Sequence, residues 1–105
     1  GSFLATGPFY HGSAMHLGPM ALLNIQGVDV VVTSKNVQVA DREMLQHLQI
    51  DIVNKKLLVL KSSVHFRADF QELVDNILIV TAPGLNIADL KKLRLSKLRP
   101  GVDIL

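Results

Sequence analysis

Two short, wholly aliphatic runs on either side of a helical pattern constrain the fold of this chain most. Residues 57–60 and 77–80 contain only Leu, Ile and Val. Between them Phe66, Phe70 and Val74 recur every fourth residue, which is the spacing of one face of a helix. Parallel strands covered on both faces read as continuous apolar runs. The pattern therefore predicts a strand-helix-strand unit with parallel strands and a right-handed crossover.

Earlier in the chain the hydrophobic period changes to that of a half-buried strand. From residue 21 to residue 34 apolar and polar side chains largely alternate, and Gln26 and Gly27 lie at the centre as a tight turn. This predicts a β-hairpin whose second arm ends in three valines. Before residue 20, repeated Gly and Pro residues predict an irregular entry segment.

Helix-start signals occur at two further positions. Asp41 is predicted to cap a short helix that carries Met44 and Leu45, and Asn86 is predicted to begin a last helix that carries Leu90. Together these elements place the chain in the α/β class. We predict a small mixed sheet with an N-terminal β-hairpin and a strand-helix-strand parallel unit, accompanied by three short helices.

Length and composition limit what the chain can be. Its 105 residues fit a single domain spanning 1–105. With 49% hydrophobic and 19% charged residues, the chain is on the apolar side for a small domain, which indicates either a surface covered by a partner or a well-filled core. It has no cysteine, which excludes disulfides and Cys-ligated metals. No apolar stretch has the length of a membrane span, so we expect a cytoplasmic protein without membrane contact.

The distribution of charge bears on nucleic-acid binding. The net charge is only +2, but five of the nine residues from 91 to 99 are basic. Leucines alternate with these charges and no aromatic residue is interleaved for stacking on bases. This predicts an amphipathic segment with a solvated charged face, so we expect no nucleic-acid partner.

The richest polar segment lies between the first aliphatic run and the helix. If the strands are parallel, the loops that follow residues 32, 60 and 80 emerge at one edge of the sheet, where ligands bind in open α/β folds. These loops supply hydroxyls, two ammonium groups, an imidazole and the start of a helix, a combination suited to holding a carboxylate or another anion. The candidate substrate-binding residues are Lys35, Lys61, Ser62, Ser63, His65 and Arg67.

Each candidate also has a purely structural interpretation. Ser62 or Ser63 is explained by a helix N-cap, the commonest role of serine at such a position. His65 is explained by a bond to a neighbouring carbonyl, and Arg67 and Asp69 by ordinary exposed positions on the helix. The two lysines are explained as charges that keep the ends of strands soluble. Both interpretations remain open at this point.

The chain lacks a self-sufficient catalytic or metal-binding set. Glu43 and His47 have the i, i+4 spacing of shared metal ligands, but no third ligand accompanies them and no HExxH pattern is present. Ser62, His65 and Asp69 lie too close along one helix to align as nucleophile, base and orienting group. We therefore assign no catalytic residue and no metal ligand within the chain.

Several separate motifs in order resemble one known family. They are Gly-Pro-Met-Ala at 18–21, Gly-Val-Asp-Val-Val-Val-Thr-Ser at 27–34, Lys-Ser-Ser-Val-His-Phe-Arg-Ala-Asp-Phe at 61–70 and Ala-Pro-Gly at 82–84. The chain thereby resembles the C-terminal domain of the MlrC family, the microcystinase C-type metallopeptidases, over roughly residues 7 to 95. One departure is Gln49, where members of the family usually have glycine.

The resemblance implies a division of labour between two domains. Zinc would be bound by a larger N-terminal domain of the same polypeptide, and this chain would contribute substrate-side residues to a cleft shared with that domain. The chain alone would then be inactive, bind no zinc, and expose an apolar patch through which it self-associates as a homo-oligomer. The resemblance does not identify a microcystin as the substrate. The alternatives are a non-catalytic anion- or protein-binding module and, through the basic C-terminal segment, a nucleic-acid binder with steep salt dependence.

Overall fold

The structure is a computed structural model that describes residues 1–84, 89–92, 94, 96–97 and 99–102. Four strands come first in the chain and short helical elements follow. The strands are β1 (Ser2–Leu4), β2 (Ala14–His16), β3 (Met20–Ile25) and β4 (Val28–Thr33). The helical elements are α1 (Glu43–Gln46), α2 (Arg67–Phe70) and two 3-10 turns, Gln71–Leu73 and Leu90–Lys92.

The hairpin expected around residues 21–34 forms as β3 and β4. The two strands are antiparallel and pair Leu23 with Val30. Gln26 and Gly27, at the turn, have φ angles of 51° and 84°. Two successive left-handed residues give the type I′ turn whose twist matches that of the flanking strands.

The entry segment is more regular than the sequence predicts. β1 and β2 form a second antiparallel pair in which Phe3 lies opposite Met15. Residues 5–13 connect them, and we call this connection the N-terminal loop. It is closed by two backbone bonds of 2.9 Å, from Ala5 N–H to the Ser13 carbonyl and from Gly12 N–H to the Ala5 carbonyl. A three-residue strand pair is too short to give a clear alternating pattern.

The predicted strand-helix-strand parallel unit is wrong. Both sheets are two-stranded and antiparallel, and residues 57–60 and 77–80 belong to neither. Leu58, Leu60 and Ile77 pack against the core, but no backbone group of either run bonds to another described residue. In the first run, alternate side chains contact the core, and in the second run only Ile77 does, so neither aliphatic run reflects strand pairing.

The prediction of three short helices is also wrong for the part of the chain that is described. It contains two α-helices of four residues each and two 3-10 turns. The predicted cap Asn86 lies outside the described residues. Asp41 does act at the start of α1, because its Oδ1 accepts the N–H of Glu43 at 2.9 Å.

A small core fixes α1 and α2 against each other. Leu45, Ile52, Phe66 and Phe70 form one buried cluster, so the predicted apolar face of the second helix is correct at its two phenylalanines. Burial of each large side chain contributes roughly 1.5–3 kcal/mol. Val74 lies outside the helical elements, with an extended backbone and 38% exposure.

Much of the aliphatic surface remains exposed. Leu57, Val59, Leu78, Ile79 and Val80 are 67–84% exposed, and we call them the exposed aliphatic residues. The radius of gyration is 16.8 Å, whereas a compact chain of this length has a value of about 13 Å. None of the described helices has the length and apolar character needed to cross a membrane.

Candidate functional site

His65 lies at the centre of a small polar group just before α2. Its Nδ1 is 2.7 Å from Oε1 of Gln38. The hydroxyl of Ser62 donates to the same amide oxygen at 3.3 Å. Ser62 and His65 are both half-buried. Because both bond to Gln38, this one side chain connects the segment before α2 to the segment that leads into α1. We call Gln38, Ser62 and His65 the His65 group.

The N-terminal loop adds an aromatic wall to this group. The rings of Phe9 and His65 are tilted by 46° with centroids 4.5 Å apart. Tyr10 meets Phe9 edge to face at 4.6 Å. Because Phe9 is 48% exposed, its ring covers one face of the imidazole while presenting apolar surface to the solvent.

The other four candidates are exposed and lie outside these contacts. Lys35, Lys61 and Ser63 form no side-chain hydrogen bond with a described residue, and the guanidinium of Arg67 lies 5.3 Å from the centre of the Phe66 ring. No ion pair among the described residues involves these three cations. The contacts of the described residues thus join two of the six predicted residues, Ser62 and His65.

Three of the structural interpretations are wrong. The N-cap of α2 is Phe66, and no side-chain cap bond is formed there, so neither serine caps the helix. His65 bonds to a side chain 27 positions away and not to a neighbouring carbonyl. Asp69 is 4% exposed, so it is not an ordinary surface residue of the helix.

Asp69 belongs to a buried ionic network that the sequence did not reveal. Its Oδ2 accepts the backbone N–H of Arg42 at 2.7 Å, and its Oδ1 accepts Nε–H of the same residue at 2.9 Å. The guanidinium also donates to Glu72 at 2.6 Å. The hydrogen bond to Asp69 is the largest effect on Arg42 and raises its pKa. Burial lowers this pKa by less, and the hydrogen bond to Glu72 adds a smaller increase. The network ties the start of α1 to α2 and to the turn after it.

A second buried carboxylate anchors the N-terminal loop. Asp41 is fully buried, and its Oδ2 accepts the N–H of Gly7 at 2.7 Å. A Cβ on Gly7 would stand 2.6 Å from Oδ2 of Asp69 and 3.0 Å from Oδ2 of Asp41. Only glycine fits between the two carboxylates, and Phe9, two residues further on, is thereby held near His65.

No metal centre is present among the described residues, where no three His, Asp or Glu side chains come together as ligands. Glu43 and His47 have no third ligand beside them among the described residues, and Nδ1–H of His47 donates to the backbone carbonyl of Glu43 at 2.5 Å. The His47 ring stacks on Phe3 at 4.7 Å, and its Nε2 is buried without a partner in the described part of the chain.

The described residues form a small mixed fold of two antiparallel strand pairs and two short helices, in which His65 contacts the N-terminal loop through Phe9 and the segment before α1 through Gln38. The chain belongs to the family described as the MlrC C-terminus, whose model matches residues 1–97. The family resemblance of the sequence motifs is thereby confirmed. A family of C-terminal domains implies an N-terminal domain in the same polypeptide. Searches of curated proteins and of solved structures gave no match.

Sequence reasoning missed three parts of this site. Gln38 and Phe9 contact His65 from positions far away along the chain, and Arg42 pairs with Asp69 across 27 residues. A polar residue between Val37 and Val39 was the only signal for Gln38, and it is typical of any strand-like segment. Long-range pairs of this kind leave no periodic pattern in a single sequence.

Proposed function

We propose that this chain is the C-terminal domain of an MlrC-like metal-dependent peptidase or amidohydrolase. In this proposal the His65 group contributes to the substrate side of a cleft shared with the N-terminal domain. The observation that carries the proposal is the family match over residues 1–97. The clustering of His65 with Gln38 and Ser62 supports the choice of residues.

The chemistry available to His65 suits a substrate-side role. An imidazole donates to a carboxylate or to a developing negative charge near neutral pH, and it accepts a proton when neutral. Phe9 contacts the imidazole ring and Gln38 bonds to its Nδ1, so the imidazole loses little conformational freedom when a substrate binds. The exposed edge of Phe9 offers an adjacent apolar contact for a peptide side chain.

The proposal places the zinc ion in the N-terminal domain. The described residues of this chain do not fit the three-ligand set that a catalytic zinc requires. When bound, zinc supplies an activated water and polarises a carbonyl. The exposed aliphatic residues would lie against the N-terminal domain, because exposed apolar surface of this extent marks an interface.

The test is a kinetic comparison in the full-length polypeptide. We expect His65→Ala to lower kcat/KM for a peptide or amide substrate by about ten- to a thousandfold, the range for losing one positioned electrostatic contact. Melting curves should be unchanged. His16→Ala is the matched control, because His16 is exposed on β2 and its side chain bonds, among the described residues, to the hydroxyl of Ser2. Equal kinetics of His65→Ala and wild type would remove His65 from the site.

A second function, a non-catalytic anion-binding module, is favoured by one observation. Lys35, Lys61 and Arg67 are all exposed, and none forms an ion pair with a described residue. Exposed cations of this kind bind carboxylates or phosphates in a salt-dependent manner. Calorimetric titration of the full-length polypeptide with a dicarboxylate separates the two functions. Binding that is lost in Lys61→Ala, together with no hydrolysis of any peptide, would favour the module.

A further inference from the structure

We infer that Gln38 is a positioning residue that holds His65 in the tautomer with the proton on Nδ1. The catalytic consequence of this inference rests on the proposed function, whereas the tautomer itself does not. The Gln38 side chain forms hydrogen bonds with both Ser62 and His65, and it does so through a single atom, Oε1.

The direction of the two hydrogen bonds follows from the atoms involved. An amide oxygen only accepts, so the groups that approach Oε1 of Gln38 must both be donors. The hydroxyl of Ser62 is one donor, at 3.3 Å. Nδ1 of His65 is the other, at 2.7 Å, and it must therefore carry a hydrogen. A neutral imidazole has one N–H, so the lone pair is left on Nε2.

Nε2 of His65 is available for a ligand. No described residue bonds to it. Nε2 of His47, in contrast, is a buried atom without a partner in the described part of the chain. Among the described residues, only the Nδ1 side of the His65 ring is therefore occupied by a hydrogen bond. Phe9 covers one ring face at 4.5 Å and restricts rotation of the imidazole about its side-chain bond.

The lone pair on Nε2 determines which hydrogen bonds the His65 imidazole can form with a ligand. In the neutral form Nε2 accepts a hydrogen bond or a proton from a substrate N–H, O–H or bound water. Once protonated, it donates to an anion while Nδ1 keeps its bond to Gln38. The Gln38 bond remains satisfied in both charge states, because Nδ1 is a donor in each.

The experiment reads the tautomer directly. Long-range proton–nitrogen NMR spectra of the ¹⁵N-labelled full-length polypeptide distinguish protonated from unprotonated ring nitrogens of His65. In the wild type we expect a protonated Nδ1 and an unprotonated Nε2. In Gln38→Leu, which keeps the bulk and removes the acceptor, we expect this preference to be lost. Gln38→Glu restores an acceptor at the same reach and should restore the preference.

Two further variants keep the test sharp. Gln71→Leu is the matched control, since Gln71 is exposed in the 3-10 turn after α2 and should leave the His65 spectrum unchanged. If Gln38→Leu does not fold, Gln38→Asn serves instead, because its amide is shorter by one methylene and cannot reach Nδ1. A wild-type spectrum with the proton on Nε2, or an unchanged tautomer in the folded Gln38 variants, would overturn the inference.

Kinetics of the same variants separate the inference from the proposed function. If both hold, Gln38→Leu lowers kcat/KM by about ten- to a hundredfold with a smaller change in KM, and Gln38→Glu recovers most of the loss. If the tautomer changes in Gln38→Leu but His65→Ala has wild-type kinetics, Gln38 does position His65 and the proposed function fails. The tautomer result therefore stands or falls by itself.

Discussion

Arg42 holds Asp69 at both carboxylate oxygens, with its backbone N–H at 2.7 Å and its Nε–H at 2.9 Å. The same guanidinium reaches the backbone carbonyl of Asp69 at 3.0 Å. Asp69 is buried and Arg42 is partly so. The pair therefore fixes the position of α2, which begins two residues after His65.

Removal of Arg42 should destabilise the chain strongly. We expect Arg42→Ala to lower the free energy of unfolding by about 3–5 kcal/mol, because the buried carboxylate of Asp69 loses its charged partner. Urea denaturation measures the loss. Glu72→Ala is the control: its side chain is 75% exposed, so its pair with Arg42 should contribute at most about 1 kcal/mol. Similar losses in both variants would contradict the buried role of Asp69.

A methyl group on Gly7 should also be costly. Gly7→Ala places Cβ 2.6 Å from Oδ2 of Asp69, so the loop or the carboxylate must move. We expect a loss of about 1–3 kcal/mol, typical of overpacking, and a weaker contact between Phe9 and His65. Thermal melts and the His65 ring signals report the two effects. Gly84→Ala is the control, because no described residue other than its chain neighbours comes within 4 Å of the added Cβ, and no stability loss is expected.

Gln49→Gly should stabilise the chain. Gln49 follows α1 in the left-handed conformation, with φ of 63°, and this conformation costs an L-residue roughly 1–2 kcal/mol. Glycine adopts this conformation without strain, and it is the residue commonest at such a position after a helix. We expect a gain of about 1 kcal/mol in urea denaturation. Gln46→Gly, inside α1, should instead lose about 1 kcal/mol; a loss in both would contradict the argument.

Acid should weaken one contact between β4 and the segment after α1. The hydrogen bond from Lys55 at 2.6 Å, with a smaller effect from Asn24, lowers the pKa of Asp29 below its ordinary value of 3.8. The folded-state pKa is depressed, so the stabilisation is complete above 3.8 and is lost as the pH falls through the lowered value.

The measurement is the urea midpoint as a function of pH. Asp29→Asn should reduce the fall in midpoint on acidification below about pH 4, because the titrating group is gone. Asp75→Asn is the matched control, since Asp75 is exposed and forms no ion pair with a described residue. A pH profile for Asp29→Asn that coincides with that of the wild type would show that the pair contributes nothing.

Self-association of the chain remains a prediction. The exposed aliphatic residues should drive concentration-dependent oligomers when no other domain covers them. Val59 is 83% exposed, and Val59→Glu should shift the sedimentation profile toward monomer. Lys56→Glu changes charge nearby without removing apolar surface and should have little effect. A wild-type chain that stays monomeric at high concentration would refute this prediction.

The sequence predicts local structure better than long-range structure. The β3–β4 hairpin was predictable because both of its signals are local. The alternation of apolar and polar residues and the turn with glycine at its second position lie within 14 consecutive residues, from Met20 to Thr33. The Phe66 and Phe70 face was predictable from helical spacing. The parallel unit was not, because the aliphatic run at 57–60 is equally compatible with a paired strand and with a segment that buries alternate side chains.

The site shows the same limit. Of the six predicted residues, Ser62 and His65 share a partner, but Gln38 could not be inferred from spacing because the contact spans 27 positions. Asp69 appeared to be a helix surface residue, since a charged side chain near the start of a short helix is normally solvated. Its burial depends on Arg42, and only tertiary structure brings the two together.

The anchoring of Gly7 by distant carboxylates has a consequence for the order of folding. The loop around Gly7 is made before the residues that hold it, because Asp41 lies 34 residues later in the chain and Asp69 lies 27 residues beyond Arg42. At roughly 5–20 residues per second, the ribosome delivers the second carboxylate seconds after the loop. The β3–β4 hairpin, closed by a two-residue turn, forms without waiting. Phe9 is therefore synthesised well before its partner, and the contact between the two rings cannot form until His65 has been made.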